Sequence, residues 1–407
     1  AYEEARIPFG GDGQWIGTLT RPDATLRQEI PTILDDVRGI LDFYSDRYGP
    51  FLFPKMELGQ IDNDAGAAFG WPALLWIPDS MLGNAGRGYD DVERRALLAH
   101  ELGHQWFPDM MMNNDSWAAW LSEGFAEYSS ISYMASVEGE QWARSYYDYY
   151  AMLYTYYIPW TRDYGLTSME SQYVSSSWIY QVVTYFKGAH VVHSLEQVMG
   201  TEAFLGAIQD LYDEYAGRDA YYNTDRLRLA LEARHGESLD WFFTQGVYNK
   251  GFPIYTVGVT PDPEAGTVDV QVTRDASYQF NSFRMPVTFG IVGDGGESRE
   301  TVWVEQDAQT FTFDVPGRFV RVKFDPESVF IKRVGPVLPG DQDLSGEVDA
   351  IDLLYTAWGQ GGTLGYNYNF LPRADLDFSG SVDEDDMAIV LERFGRTTDD
   401  EGGNDAQ

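Results

Sequence analysis

The feature that most constrains this chain is a pair of histidines four residues apart, in His100-Glu101-Leu102-Gly103-His104. The surrounding segment 93–107 contains no helix-breaking Gly-Pro step and predicts a continuous helix. Helical spacing of four puts both imidazoles on one face, where they can share a tetrahedral metal ion. Glu101 lies beside them and can act as general base toward a water molecule.

Composition narrows the choice of metal ligands. The chain has 5 His and no Cys among its 407 residues, so histidines and carboxylates must hold any metal. Glu123 follows His104 after 18 intervening residues, in the segment WLSEGFAEY on the next predicted helix. Glu127, one turn further on, can orient a ligand imidazole or be a solvated carboxylate, and both interpretations stay open.

Three separated motifs together resemble the aminopeptidase N family of gluzincin zinc metallopeptidases. They are HELGHQWF from His100, WLSEGFAEY around Glu123, and Tyr185-Phe186-Lys187-Gly188, which begins 62 residues after Glu123. The resemblance implies zinc bound by His100, His104 and Glu123, with Glu101 as the general base. It also implies Tyr185 as the hydrogen-bond donor to the transition state, and a peptide as the substrate.

One segment departs from the family pattern. Family members bind a free substrate amino terminus through the sequence GAMEN, and the aligned segment here is Gly66-Ala67-Ala68-Phe69-Gly70. Gly66 and Ala67 are retained as candidate substrate-binding residues, but Phe69 replaces the amine-binding glutamate. The resemblance therefore leaves exopeptidase and endopeptidase activity open.

Two acidic segments near the C-terminus follow the calcium-loop pattern, with oxygen-bearing residues at fixed positions and a glycine at position six. The second segment repeats the first 34 residues later, and an apolar helix is predicted after each. The candidate calcium ligands are Asp341, Asp343, Ser345, Glu347 and Asp352 in the first loop and Asp375, Asp377, Ser379, Ser381 and Asp386 in the second.

Aspartate at the twelfth position of each loop, and no entering helix, make this duplication resemble a dockerin module. Dockerins are extracellular and bind cohesins, so the resemblance implies Ca²⁺ and a cohesin-like protein partner. The pairs Ala350-Ile351 and Glu384-Asp385, where cohesin contacts usually lie, lack the common Ser/Thr pair. A calcium-stabilised anchoring tail is the alternative.

The expected fold is multidomain α+β. It comprises a thermolysin-like, mostly helical catalytic domain, a small antiparallel β-sandwich predicted by alternating apolar residues after Gly251, and an EF-hand-like helical module. The expected segments are 1–26, a remnant of an N-terminal β domain or a linker; 27–251, catalytic; 252–334, β-sandwich; 335–340, linker; 341–395, dockerin-like; and 396–407, a disordered acidic tail.

Charge argues against some partners. Lys and Arg number 28 and Asp and Glu 64, a net charge of −36, which opposes binding to nucleic acid and anionic lipid. No apolar run approaches the roughly 18 residues of a membrane span. We expect an extracellular or cell-surface protein, although this chain contains no signal peptide. The alternatives are an inactive binding protein with a peptidase fold and a zinc hydrolase of non-peptide substrates.

Overall fold

The computed structural model divides the chain into two compact units, Ala1–Tyr154 with Thr161–Lys250, and Thr155–Trp160 with Gly251–Gln407. The residues that the structure describes are 2–11, 13–24, 26–61, 68–82, 91–115, 117–158, 160–173, 178–275, 283–336, 338–361, 374–376, 379 and 381–397. No helix within these ranges is both long and apolar enough to cross a membrane.

The first unit contains a five-stranded sheet. Its strands are β1 (Glu3–Pro8), β2 (Trp15–Thr20), β3 (Lys55–Ile61), β4 (Phe69–Trp71) and β5 (Leu74–Pro78). The order is β1-β2-β3-β5-β4, with β2, β3 and β5 parallel and the two edge strands antiparallel to their neighbours.

Residues 3–20, expected as a remnant of an N-terminal β domain or a linker, supply the first two strands of this sheet. Ile16 of β2 is paired with Met56 of β3, and both side chains are fully buried. Four of the six residues of β2 are buried, including Thr18 and Thr20, as expected for a strand inside the sheet.

Ten helices are described in this unit. They are α1 (Leu26–Tyr48), α2 (Asp79–Leu82), α3 (Asp91–Gly103), α4 (Glu123–Glu138), α5 (Glu140–Tyr157), α6 (Trp178–Tyr180), α7 (Gly188–Met199), α8 (Thr201–Tyr215), α9 (Thr224–His235) and α10 (Asp240–Phe243). Wider π-helical turns occupy Gln105–Met110, Gln181–Lys187 and Thr244–Tyr248, and 3₁₀ turns occupy Ala119–Leu121, Trp160–Arg162 and Met169–Tyr173.

Helix α3 is shorter than the sequence predicts. It ends at Gly103, and Phe107 has an extended backbone with φ −104° and ψ 92°. The reason is Pro108, since the proline ring disfavours helical dihedrals at the residue before it. The helix therefore gives way to the turn Gln105–Met110 immediately after His104.

Three helices of this unit approach one another through small residues. A Cβ built on Gly124 of α4 would lie 2.9 Å from the carbonyl carbon of Gly188 at the start of α7. A Cβ on Gly103 at the end of α3 would lie 3.0 Å from the Cα of Ala126 of α4. The backbones touch at both crossings, so α4 is fixed closely against α3 and α7.

We predict that Gly124→Ala destabilises the protein, because the added methyl group forces α4 and α7 apart. Overpacking of this kind costs about 1–3 kcal/mol. Gly246→Ala is the matched control, since its methyl group would meet no atom closer than 3.8 Å. Denaturant unfolding measures both variants, and equal free energies of unfolding would contradict a tight α4–α7 contact.

The second unit contains two facing sheets. The strands are β6 (Ile254–Asp262), β7 (Thr267–Arg274), β8 (Met285–Gly293), β9 (Gly296–Val304), β10 (Ala308–Asp314), β11 (Phe319–Phe324) and β12 (Arg333–Pro336). One sheet has the order β10-β7-β6-β12 and the other β11-β8-β9. The ring of Phe289 in β8 lies 5.3 Å from that of Phe313 in β10, which joins the two inner faces.

The sandwich is not wholly antiparallel, which corrects the expected fold. Strand β12 pairs in parallel with β6, placing Arg333 opposite Ile254. Gly335 and Pro336, expected to begin a linker, belong to this strand. Pro336 is tolerated because β12 is an edge strand, where a missing N–H breaks no interior ladder.

Two short helices follow the acidic loops, α11 (Ala350–Gly359) and α12 (Glu384–Arg393). Asp349 caps α11 and Asp383 caps α12, each accepting a backbone N–H of the first turn. Both helices are amphipathic. Leu353 of α11 and Val390 of α12 share a small apolar core with Leu338, Val348 and Leu376 from the loops.

Candidate active site

The structure brings the three predicted zinc ligands of the first unit together. His100 and His104 lie one turn apart on and just after α3, and Glu123 is the first residue of α4. Oε2 of Glu123 lies 3.2 Å from Nε2 of His104 and 3.6 Å from Nε2 of His100. One ligand atom from each residue lies within 4.8 Å of the others. That they bind zinc stays a prediction.

Both imidazole rings are held through their second nitrogen. Nδ1 of His100 lies 2.7 Å from Oε2 of Glu127, and the hydroxyl of Tyr150 donates to the other oxygen of Glu127. Nδ1 of His104 lies 3.2 Å from the Phe107 carbonyl oxygen and 3.1 Å from Oγ of Ser122. These contacts leave Nε2 of each ring on the side of Glu123, where a metal can be bound.

The charges at this cluster suit a cation. Burial opposes a charge on His100, yet its hydrogen bonds to Glu123 and Glu127 raise the pKa of His100 well above its usual value. Burial would raise the pKa of Glu123, but hydrogen bonds to both histidines lower it strongly. The carboxylates therefore stabilise positive charge between the rings. Two imidazoles and one carboxylate are also a donor set typical of catalytic zinc, so the residues fit this ion.

Glu101 is almost fully buried beside the cluster, and burial raises the pKa of its carboxyl. Edge strand β4 lies directly over it. A Cβ on Gly70 would be 3.4 Å from Oε2 of Glu101, and Gln105 holds the strand by donating to the Trp71 carbonyl at 3.1 Å. Glu101 is therefore a buried carboxylate next to the edge strand β4, and its raised pKa suits proton transfer.

The predicted substrate-binding residues are described only in part. Gly66 and Ala67 lie outside the described residues. Phe69 belongs to β4, two residues before Trp71, and is 47% exposed. The aromatic side chain at the position of the family's glutamate is thus partly open to solvent.

Tyr185 lies beside the predicted ligands. Its ring is parallel to that of His100, with centroids 5.9 Å apart and planes 7° apart. Burial chiefly, together with the negative charge of Glu123 and a hydrogen bond to it, raises the pKa of the Tyr185 hydroxyl. The phenol is therefore kept protonated and able to donate a hydrogen bond.

The sequence identified Glu127 as a candidate partner of a ligand imidazole, and it lies at His100, but the other residues that hold this site were missed. Ser122 comes directly before Glu123 in the sequence. This neighbouring position is the one local signal that could have indicated its contact with His104. Tyr150 is one of 27 tyrosines and lies 23 residues from Glu127, so no local pattern distinguishes it. The hydrogen bonds of Gln105 to β4 likewise depend on the tertiary fold.

In the second unit, the first acidic loop brings three buried carboxylates together. One oxygen each from Asp341, Asp343 and Asp352 lies within 4.8 Å of the others. Burial raises the pKa of Asp341 to about 7 and that of Asp352 to about 6. Ser345 and Glu347 follow in the same loop, where the Ser345 hydroxyl donates to the Glu347 carbonyl at 3.0 Å.

The second loop repeats the hydrogen bonds of the first. Asp375 accepts the Ser379 N–H at 2.9 Å, as Asp341 accepts the Ser345 N–H. Asp386 accepts the Leu376 N–H at 2.6 Å, matching the bond from Gln342 to Asp352. The Ser379 hydroxyl donates to the carbonyl of Ser381. Asp377, the remaining predicted ligand, lies outside the described residues.

Two curated proteins illustrate the similarity of this chain to known sequences. Probable aminopeptidase 1 of Sulfurisphaera tokodaii is 22% identical over 292 residues, which cover 69% of this chain and 35% of that protein. Aminopeptidase N of Homo sapiens is 24% identical over 356 residues, covering 78% and 36%. The chain thus spans about a third of the length of these relatives.

A solved structure and a family model extend the comparison. Legionella pneumophila aminopeptidase A in complex with aspartic acid superposes with a TM-score of 0.68 at 14% identity, over 91% of this chain and 44% of that one. This likeness shows a shared fold. Residues 33–252, more than half of the chain, match the Peptidase family M1 domain. The chain therefore belongs to peptidase family M1.

Proposed function

We propose that the first unit is a zinc-dependent peptidase that hydrolyses peptide bonds with water. The observation that carries this proposal is the convergence of His100, His104 and Glu123 next to the buried Glu101. The family membership of residues 33–252 supports it independently. When bound, zinc supplies Lewis acidity that polarises the scissile carbonyl and lowers the pKa of water toward about 7.

The chain's own residues complete the chemistry. Glu101 accepts a proton from the attacking water and passes it to the amine that leaves. Its burial favours this role, because a raised pKa brings a carboxylate closer to the pKa of its proton donor. The Tyr185 hydroxyl donates a hydrogen bond to the oxyanion, an interaction worth about 3–4 kcal/mol for one good donor.

Two carboxylates of the same cluster give opposite predictions. Glu123→Ala should abolish both zinc binding and turnover, since two protein ligands rarely hold the ion; His104→Ala should behave alike. Glu101→Gln should keep stoichiometric zinc but reduce kcat by about 10²–10⁴, because an amide cannot accept the proton. Metal analysis and peptide assays measure both quantities. Zinc retained by Glu123→Ala, or near-normal kcat in Glu101→Gln, would contradict the assignment.

Two other functions lead to different results. An inactive binding protein with a peptidase fold would bind peptides without turnover. The presence of His100, His104, Glu123, Glu101 and Tyr185 argues against this alternative. A zinc hydrolase of non-peptide substrates would leave a peptide library intact. Digestion of such a library, followed by mass spectrometry, distinguishes the three functions and reports which end of a peptide is attacked.

We propose further that this chain does not depend strongly on a free amino terminus in its substrate. A carboxylate binds a substrate ammonium by a charge-assisted hydrogen bond, whereas Phe69 offers only an apolar ring. An ammonium near that ring gains only a cation–π contact, which is weak at an exposed position, and Phe69 is 47% exposed. A chain with phenylalanine here lacks the carboxylate that anchors the amine in the family, even if it retains peptide hydrolysis.

The matched substrates for this proposal are one peptide and its N-acetylated form. We predict comparable kcat/KM values for the two. Phe69→Glu should create a preference for the free amine, whereas Trp71→Glu adds the same charge two residues along β4 as a control. A wild-type preference above about 100-fold for the free amine, roughly 2.7 kcal/mol, would contradict the proposal.

The duplicated acidic loops belong to a different site. We propose that they bind two Ca²⁺ ions in a dockerin-like module. The buried carboxylates of Asp341, Asp343 and Asp352 support this, because a divalent cation offsets their mutual repulsion. The matching hydrogen bonds around Asp375 and Asp386 support a second, equivalent loop.

We predict that calorimetric titration of the zinc-loaded full chain shows two calcium ions bound and a raised Tm. Asp352→Asn should remove one site and Asp386→Asn the other. Asp314→Asn, at an exposed position in β10, is the control and should bind two ions. Titration without heat of binding, with an unchanged Tm, would exclude calcium from these loops.

This module also suggests how the protein attaches to a partner. Ile351, Leu354 and Trp358 project from one face of α11, and Trp358 is 80% exposed. The aligned residues of α12 are Asp385, Ala388 and Glu392, so the fold does not require apolar residues there. We propose that this face of α11 binds a cohesin-like protein outside the cell or at its surface. The test is a pull-down of a cohesin-like protein by the full chain. Trp358→Glu should abolish this binding if the face of α11 is the contact surface.

A further inference from the structure

The turn that carries Tyr185 is not an ordinary helix. Residues Gln181–Lys187 form a π-helical turn between α6 and α7, with hydrogen bonds that span five residues rather than four. A π-helical turn contains more residues than an α-helical turn, which changes the direction in which each side chain points. The position of Tyr185 over His100 therefore depends on the contacts that hold this turn in one register.

The first of these contacts is an aromatic stack. The ring of Phe186 lies on that of Tyr150 from α5, with centroids 4.2 Å apart and planes 11° apart. The hydroxyl of the same tyrosine donates to Glu127, the partner of His100. Helix α5 thus contacts both the Tyr185 turn and the group that orients a predicted zinc ligand.

The second contact is a buried lysine. Lys187 is 2% exposed, and its ammonium donates to the Tyr154 hydroxyl at 3.0 Å. That hydroxyl donates in turn to Oδ2 of Asp163 at 2.7 Å. Tyr154 follows Tyr150 by one turn of α5, so both side chains lie on the same face of this helix. They contact two consecutive residues of the turn, Lys187 and Phe186 respectively.

The positions of Tyr185 and Lys187 make this arrangement effective. Side chains two residues apart on a helical turn point in nearly opposite directions, about 160–200° around the axis. Tyr185 contacts His100, and Lys187 reaches α5 on the other side. A shift of the turn by one residue would remove the ammonium from Tyr154.

Burial of this ammonium also needs an explanation. A buried charge loses its hydration, and an apolar side chain of similar length would pack at lower cost. Burial lowers the pKa of Lys187, which reflects that cost. What the lysine provides instead is a directional hydrogen bond that only one register satisfies.

We propose that Lys187, held by Tyr154 and Asp163, is a positioning residue that fixes the register of the turn so that Tyr185 faces His100 and Glu123. This inference rests on the proposed peptidase function. We assign Lys187 no contact with substrate; it acts through Tyr185. Its removal should therefore affect the transition state and leave metal and substrate binding intact.

The test compares Lys187→Met with two further variants. Lys187→Met should lower kcat at least about tenfold, with KM within about twofold of wild type and zinc content unchanged. Tyr154→Phe removes one hydroxyl and should act in the same direction, which keeps the test available if Lys187→Met fails to fold. Ser194→Ala is the control, since it removes a buried hydroxyl bonded to His190 further along α7.

A double variant separates positioning from general structural damage. If Lys187 acts through the Tyr185 hydroxyl, then Tyr185→Phe combined with Lys187→Met should be no slower than Tyr185→Phe alone. Losses in kcat that multiply would overturn the proposal. A normal kcat in both Lys187→Met and Tyr154→Phe would overturn it as well.

Amide hydrogen exchange tests the same contact without any activity. Lys187→Met should speed exchange across 181–188 and leave the exchange of α3 unchanged. If the wild type binds no zinc and cleaves no peptide, the proposed function fails, while this measurement still decides whether Lys187 holds the turn. Unchanged exchange at 181–188 would overturn the positioning role.

Discussion

The candidate active site of the first unit is built around one carboxylate, that of Glu123, which lies between two imidazoles. Its Oε2 atom lies 3.2 Å from Nε2 of His104 and 3.6 Å from Nε2 of His100. This placement requires α3 and α4 to cross almost backbone to backbone, which Gly103 and Ala126 allow. Gly124, the next residue after Glu123, allows the same closeness to α7. Small residues next to the ligands thus set the geometry of the site.

The arrangement of supporting contacts follows from this constraint. Each imidazole is oriented by a partner at Nδ1, and the partner of His100 is itself held by α5. The same helix holds the turn that carries Tyr185. Because α5 supports both a predicted ligand and the predicted oxyanion donor, these two groups keep a fixed relative position. Such preorganisation lets a donor stabilise the transition state without reorganising during the reaction.

The sequence predicted the contacts between residues of one helix in this site and missed the contacts between residues on different elements. The spacing of His100 and His104 predicts a shared face because one helix turn determines it. Glu123 and Tyr185 were found through motif resemblance, since their approach depends on helix crossings. Tyr150 and Tyr154 carry no local signal, because their partners lie on other elements. Helix α3 is shorter than its pattern predicts because Pro108 disfavours helical dihedrals at Phe107. Strand β4 has only three residues, too few for a periodic pattern.

Two different binding chemistries emerge from one acidic chain. The first unit offers nitrogen and carboxylate ligands, which suit zinc, and the second offers only oxygen ligands in the described loops, which suit calcium. Part of the net charge of −36 therefore lies in carboxylates that cluster at the proposed zinc and calcium sites.

The most direct test of the central claim is a crystal structure of the purified protein with anomalous data collected above and below the zinc absorption edge. We expect one strong zinc peak bonded to Nε2 of His100, Nε2 of His104 and a carboxylate oxygen of Glu123, at about 2.0–2.2 Å. Absence of a peak between these residues in zinc-supplemented crystals, or a metal held without Glu123, would contradict the proposed zinc site.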